Sequence, residues 1–228
     1  AARDCLGTIV ADDPRLVPAL TARETAWLGD LRRPDDPPRE VAIGRAEELL
    51  RRAVRLAPTS AGPYRAIQSL LLMQGDVDAA LLAGRRAVEL APDDMNAVGS
   101  YGATLARIGR WQEALPLLTR AASTMSSPPK WLQFHRFLAL DGLERVDEAD
   151  REVAFFDGGD SPIFLLAVAI RAHRRGDTPA AGAALSRVVH SEPDFAVDPS
   201  AYLRARGFAD AAVARLILDL GRIGIPKP

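Results

Sequence analysis

The sequence predicts an all-α fold of antiparallel helix pairs stacked one on the next. Two observations carry this. First, residue types recur at a fixed period. Ala46, Ala80 and Ala114 are spaced by 34, as are Ala53, Ala87 and Ala121, Leu56 and Leu90, and Pro58 and Pro92. Gly75, Gly109, Gly142 and Gly176 form a further ladder with steps of 34, 33 and 34. Second, apolar residues inside each period fall at helical spacing, interrupted by glycine or proline where a helix must turn.

The elements follow in chain order. Ala1 to Pro14 reads as the second helix of a repeat, ending in "DDP", so the sequence is expected to start inside an array. A helix is expected from Leu16 to Leu31. The proline- and charge-rich Arg32–Glu40 reads as an inserted loop. Ala46–Pro58 is a second helix whose first helix has been displaced. Residues 61–94 form the clearest unit. Tyr64, Ile67, Leu71 and Leu72 make one apolar stripe. Gly75 allows the bend, Asp76 caps the next helix, and Ala80, Leu81, Ala87, Val88 and Leu90 make the second stripe. Pro92 stops it, having no N–H and a ring that clashes with the preceding turn.

Residues 95–127 repeat the pattern through Tyr101, Gly102, Leu105, Gly109, Trp111, Ala114 and Ala121. Ser126 stands where the proline is expected, with Pro128 two residues later. Residues 128–161 fit through Trp131, Phe134, Leu138 and Gly142. The interval from Gly142 to Ala149 is two residues longer than in the other repeats, which predicts an extended turn or helix. Phe155 and Phe156 replace small residues and are expected to splay that pair or fill a gap. Residues 162–195 return to phase through Gly176, Ala181, Leu185 and Pro193. The domain expectation is thus a repeat array over 1–195, with partial units before 60. A connection with a short helix and an amphipathic helix, Ala209–Ile223, then fill 196–228 and cap the array's last apolar face.

This pattern resembles the tetratricopeptide repeat (TPR) family, which has two helices per ~34 residues, small residues at fixed places and a terminal proline. The resemblance implies a right-handed α-solenoid whose first helices line a concave face where peptide segments dock. Counting repeats from 61, 95, 128 and 162 projects Arg65, Ser69, Asn96, Ala103, Arg107, Gln133, Arg136, Leu166, Ile170, His173 and Arg174 onto that face. Some TPR proteins grip a chaperone's terminal carboxylate there with lysine and asparagine. Here Ser69 and Gly99 depart from that clamp. The tail "YLRARGFADAAVARLILDLGRIGIP" looks like those of bacterial multidomain regulators, in which a TPR array follows a class III cyclase or a winged-helix domain. The function implied is a protein-interaction or regulatory module, with self-association as the alternative and an unrecognised enzyme as a third.

Composition narrows the classes. Of 228 residues, 29 are basic and 30 acidic. The net charge of −1 argues against direct nucleic-acid contact, which ordinarily needs a basic excess. Lysine stands only at Lys130 and Lys227, and this arginine bias suggests a high-GC bacterial source. The lone Cys5 predicts no internal disulfide and, without a neighbouring histidine, reads as a small apolar residue. The longest apolar run, Ile163–Ile170, falls short of the ~18 residues a membrane helix needs. No basic stretch leads into an apolar core at the start, so no signal peptide and a cytoplasmic location are expected.

No catalytic, cofactor or metal residue is assigned. "FFDGGDSP" lacks a phosphate-binding lysine and reads as a turn. His135, His173 and His190 have no histidine or cysteine partner at helical spacing. The patches "RRAVR" and "RAHRRG" stand beside Glu47, Glu48 and Asp177, which predicts salt-paired, solvated faces. Trp131, Phe134 and Phe137 are expected in the core and Trp111 in packing. Trp27 takes no repeat position.

Overall fold

The computed structural model describes residues 39–155 and 161–225, and these hold twelve helices and no strand. They are α1 (Arg39–Leu56), α2 (Ala61–Met73), α3 (Val77–Leu90), α4 (Met95–Arg107), α5 (Trp111–Ser123) and α6 (Lys130–Gly142). They continue with α7 (Val146–Val153), α8 (Pro162–Arg174), α9 (Thr178–Ser191), α10 (Pro193–Val197), α11 (Pro199–Arg204) and α12 (Asp210–Ile223). The expectations for Ala1–Pro14, Leu16–Leu31, Cys5, Trp27 and Phe156 lie outside the described residues. The chain divides into two compact units, Ala1–Tyr101 and Gly102–Pro228, with the division inside α4.

The four first helices, α2, α4, α6 and α8, are each 13 residues long and end in the same bend. Asp76, Arg110, Arg145 and Asp177 donate their N–H to the carbonyls of Leu71, Leu105, Leu140 and Ala172 at 2.9–3.0 Å. The residue before each donor has positive φ: Gly75 at 83°, Gly109 at 85°, Glu144 at 60° and Gly176 at 78°. This is the six-residue closure that ends a helix through a left-handed residue. It corrects the glycine ladder, because the third bend is made by Glu144 and Gly142 lies inside α6. The two extra residues are not in that bend. They sit in the six-residue link Thr124–Pro129 before α6, where the link before α4 has four.

Packing holds this register. A Cβ on Gly142 would lie 2.1–2.7 Å from the Trp111 indole, so the ring requires a glycine beneath it. With α6 counted from Lys130, Ala149 falls in line with Ala80, Ala114 and Ala181, and all four are fully buried. Phe155 then replaces no small residue. It lies past the end of α7 and is 63% exposed.

Within the first unit, α1 starts seven residues before the expected Ala46, so Arg39 and Glu40 belong to a helix rather than to the loop. The reason is a longer stripe: Ala42, Ala46, Leu50 and Ala53 recur at helical spacing and are all buried. Ala46 and Leu50 pack on Ala66 and Leu70, with Ile43 and Ile67 alongside. Ala61, Ala87 and Ala97 form a second cluster with Tyr64 and Leu90. Asp76 caps α3 by accepting the Ala79 N–H at 3.1 Å. Gly84 lets α3 approach closely: a Cβ there would sit 2.1 Å from Gln68 Oε1 and 2.7 Å from the Tyr101 ring.

Within the second unit, Phe134 is 2% exposed and packs at a tilt against Phe137 and Phe164, their centroids 6.2 and 5.6 Å away. Leu165, Ala169, Leu185 and Val188 join α8 to α9 as buried residues. Past Pro193 the chain forms two short helices, α10 and α11, and Phe195 meets the Tyr202 ring edge-on at 5.2 Å. Helix α12 packs on α8, α9 and α6, burying Ala212, Val213, Leu216 and Leu220.

Candidate functional site

The residues projected onto the docking face have different fates in the two units. In the first, Ser69 on α2 and Asn96 on α4 are exposed, and Arg65 is half-buried. The Nε of Arg65 is buried without a hydrogen-bond partner among the described residues. A shielded guanidinium N–H of this kind favours an acceptor, above all a carboxylate that takes two donors at once.

In the second unit the chain's own C-terminal segment engages two of the projected residues, Arg107 and Arg174. Arg107, in the last turn of α4, donates from Nε to Nε2 of His135 at 3.0 Å and from Nη1 to the Arg206 carbonyl at 3.4 Å. Its guanidinium lies 5.4 Å above the Phe208 ring. Phe208 also meets Phe134 edge-on at 6.5 Å. The Ala209 N–H donates to the Arg107 carbonyl at 3.0 Å, satisfying a helix-end acceptor. Burial lowers the Arg107 guanidinium to about 10. Burial, with the Arg107 charge added, pushes His135 down to about 3. The ring is therefore neutral. Its Nδ1–H donates to the Trp131 carbonyl at 2.6 Å, and Nε2 is left to accept from Arg107.

Further along α12 lies a charge cluster drawn from four helices. Asp141 of α6 is wholly buried and pairs with Arg174 of α8 and Arg215 of α12. Arg174 also reaches Asp219 of α12 at 2.7 Å and Asp150 of α7 at 3.4 Å. Arg222 meets Asp219 from the rim at 3.1 Å. Burial acts against the Arg174 charge, but Asp141 and Asp219 outweigh it and its pKa is raised. Burial likewise raises Asp150, against the pull of Arg174. The three arginines balance the three aspartates, which is what a desolvated cluster requires.

Each unit also has a groove between second helices. One of about 650 Å³, formed by α1, α2 and α3, is lined by Val54, Tyr64, Ile67, Leu71 and Leu82, with Arg55 and Arg86 at its rim. Leu82 is 67% exposed there. The other, of about 700 Å³, lies on α5, α6 and α7 and is lined by Leu115, Arg136, Leu140, Arg145 and Glu152.

The shifted register explains two displaced assignments. Gln133 is 5% exposed, and Arg136 lines the α5–α7 groove, bound to Glu152 at 3.1 Å. Counted from Lys130, their expected places belong to His135 and Leu138. Ala103, Leu166 and Ile170 are buried, and His173 is half-buried. Arg174 does not belong to a solvated patch, being taken up by the cluster, whereas Arg51 of the other patch pairs with Glu47 on the surface as expected. Sequence reading missed Asp141, Phe208, Arg215 and Asp219. An acid ending the apolar run "FLALD" and an Arg–Asp pair four apart were the available signals. Among the described residues no His, Cys, Asp or Glu group could hold a metal ion. No helix there is long and apolar enough to cross a membrane.

No family model matches the sequence, and no curated protein does so either. Solved structures do match. TTC0263, a thermophilic TPR protein of Thermus thermophilus, is 21% identical with a TM-score of 0.56, over 78% of this chain and 92% of that one. Pseudomonas aeruginosa pilF is 16% identical with a TM-score of 0.60, over 97% and 93%. A chain of the APC/C hetero-tetramer Cut9–Hcn1 is 15% identical with a TM-score of 0.67, over 90% of this chain and 39% of that one. At such identities the likeness is one of fold, and the fold is an all-α, TPR-like one.

Proposed function

We propose that this chain is a protein-interaction module that docks a partner segment on the first helices of its N-terminal unit, at Arg65, Ser69 and Asn96. The observation that carries this reading is the contrast between the two units. Arg107 and Arg174 are engaged by the chain's own C-terminal segment, whereas Ser69 and Asn96 are exposed and the Nε of Arg65 has no partner among the described residues. A segment carrying a carboxylate suits that arginine. The TPR-like fold supports the class of function, and the partner's identity lies in the site rather than in the fold. The tail resemblance supports a finer reading, in which the chain is the recruiting part of a bacterial signalling or transcription regulator in the cytoplasm.

The test is an array of short acidic and neutral peptides probed with the full chain. Acidic segments are expected to bind, and Arg65→Ala with Asn96→Ala to weaken them by about tenfold or more, the effect of losing one anchor. Equal binding by the variant would remove the site from this face. Self-association is the second reading, favoured by the apolar groove around Leu82. A monomer whose light-scattering mass does not change with concentration removes it.

A further inference from the structure

The geometry points to a second docking site, on the C-terminal unit, whose resident ligand is the chain's own segment from Arg206 to Ile223. It does not depend on the Arg65 surface, which belongs to the other unit.

Three anchors hold that segment, and each falls at or beside the end of a different first helix. Phe208 lies under Arg107 of α4 and against Phe134 of α6. Arg215 donates to Asp141 of α6 at 2.9 Å. Asp219 accepts from Arg174 of α8 at 2.7 Å. The segment thus runs across three successive helix pairs. A cap needs only apolar contact with the last pair. Here an aromatic ring, an arginine and an aspartate each meet a complementary group on the body, as a peptide ligand's side chains do. Arg107 and Arg174 are two of the eleven residues that the repeat pattern projects onto the docking face.

The body therefore selects a segment that offers an aromatic ring just ahead of a helix carrying Arg and Asp one turn apart. The tether keeps its own copy at a high effective concentration, on the order of millimolar for a short linker. An outside helix of the same chemistry has to displace it, so the tail acts as an autoinhibitory occupant.

The test uses the full chain with a protease site inserted between Val197 and Asp198, where Val197 is 78% exposed. No anchor is altered. After cleavage the segment is expected to stay with the body on size exclusion. A labelled peptide of residues 198–225 is expected to replace it, leaving the body's helical circular dichroism and cooperative unfolding intact. The same peptide with Asp219→Arg is expected to compete at least about tenfold more weakly, the loss of one charge-paired anchor. The proposal falls if the body unfolds as the segment leaves, if the segment leaves and cannot rebind, or if the Asp219→Arg peptide competes equally well.

Discussion

Asp141 accepts two hydrogen bonds from Arg215, from Nε to Oδ2 at 2.9 Å and from Nη2 to Oδ1 at 3.3 Å, across 74 residues of sequence. The same carboxylate binds Arg174 and has no exposed surface. One buried acid thereby joins α6, α8 and α12.

Asp141→Ala is expected to destabilise the chain by about 3–5 kcal/mol, because it leaves two largely buried guanidinium groups without their shared acceptor. Arg222→Ala, whose side chain is 61% exposed in the same cluster, is expected to cost under about 1 kcal/mol. Urea unfolding of both variants checks the ordering. Equal losses would mean that the cluster is solvated.

The bend after α6 gives two substitutions with opposite signs. Glu144→Gly is expected to stabilise by about 1 kcal/mol, since a residue with a Cβ is strained at φ 60°. Gly142→Ala is expected to destabilise by about 1–3 kcal/mol despite its better helix propensity, because the rigid Trp111 ring occupies the Cβ position. Had Gly142 been the bend residue, alanine there would instead be penalised for positive φ and Glu144→Gly would change little. Thermal unfolding of the two variants separates the registers.

Gly84→Ala tests the first unit in the same way. Its Cβ would meet Gln68, whose Nε2 donates to the Ser100 carbonyl at 2.8 Å, and the Tyr101 ring. A loss of about 1–3 kcal/mol is expected. A neutral or stabilising result would mean that α2 and α3 are further apart.

His135 gives a pH dependence with a fixed sign. Its pKa falls from 6.5 to about 3 on folding, chiefly through burial. Above pH 6.5 the ring is neutral in both states and its full contribution is present. Between pH 6.5 and 3 the unfolded chain binds a proton that the folded chain refuses, so stability falls with pH. By pH 5 the loss from this group is about 2 kcal/mol. His135→Gln is expected to lose that much less than the natural chain between pH 7.5 and 5 in urea unfolding. Parallel losses would show that the ring protonates freely in the fold.

Local rules in the sequence determined most of the helix pairs. Glycine at three of the four bends, the Asp76 cap and the buried alanines act within a turn or two, through backbone sterics and short hydrogen bonds, so one unit can be read without its neighbours. The same reading put the bend at Gly142, because a glycine ladder carries no information about what lies across from each glycine. Packing against Trp111 and the line of buried alanines set the register, and Glu144 took the strained bend at a cost that burial offsets.

Only the tertiary structure decided which arginines remain accessible. A guanidinium four residues from an acid looks solvated in sequence. Whether it faces water or a wholly buried aspartate 74 residues away depends on where the chain returns, and no periodicity encodes a contact made once. The return of the last helix across Arg107, Asp141 and Arg174 is such a contact. It is selected by the neutralisation of desolvated charge together with apolar burial, terms that exist only once distant helices meet.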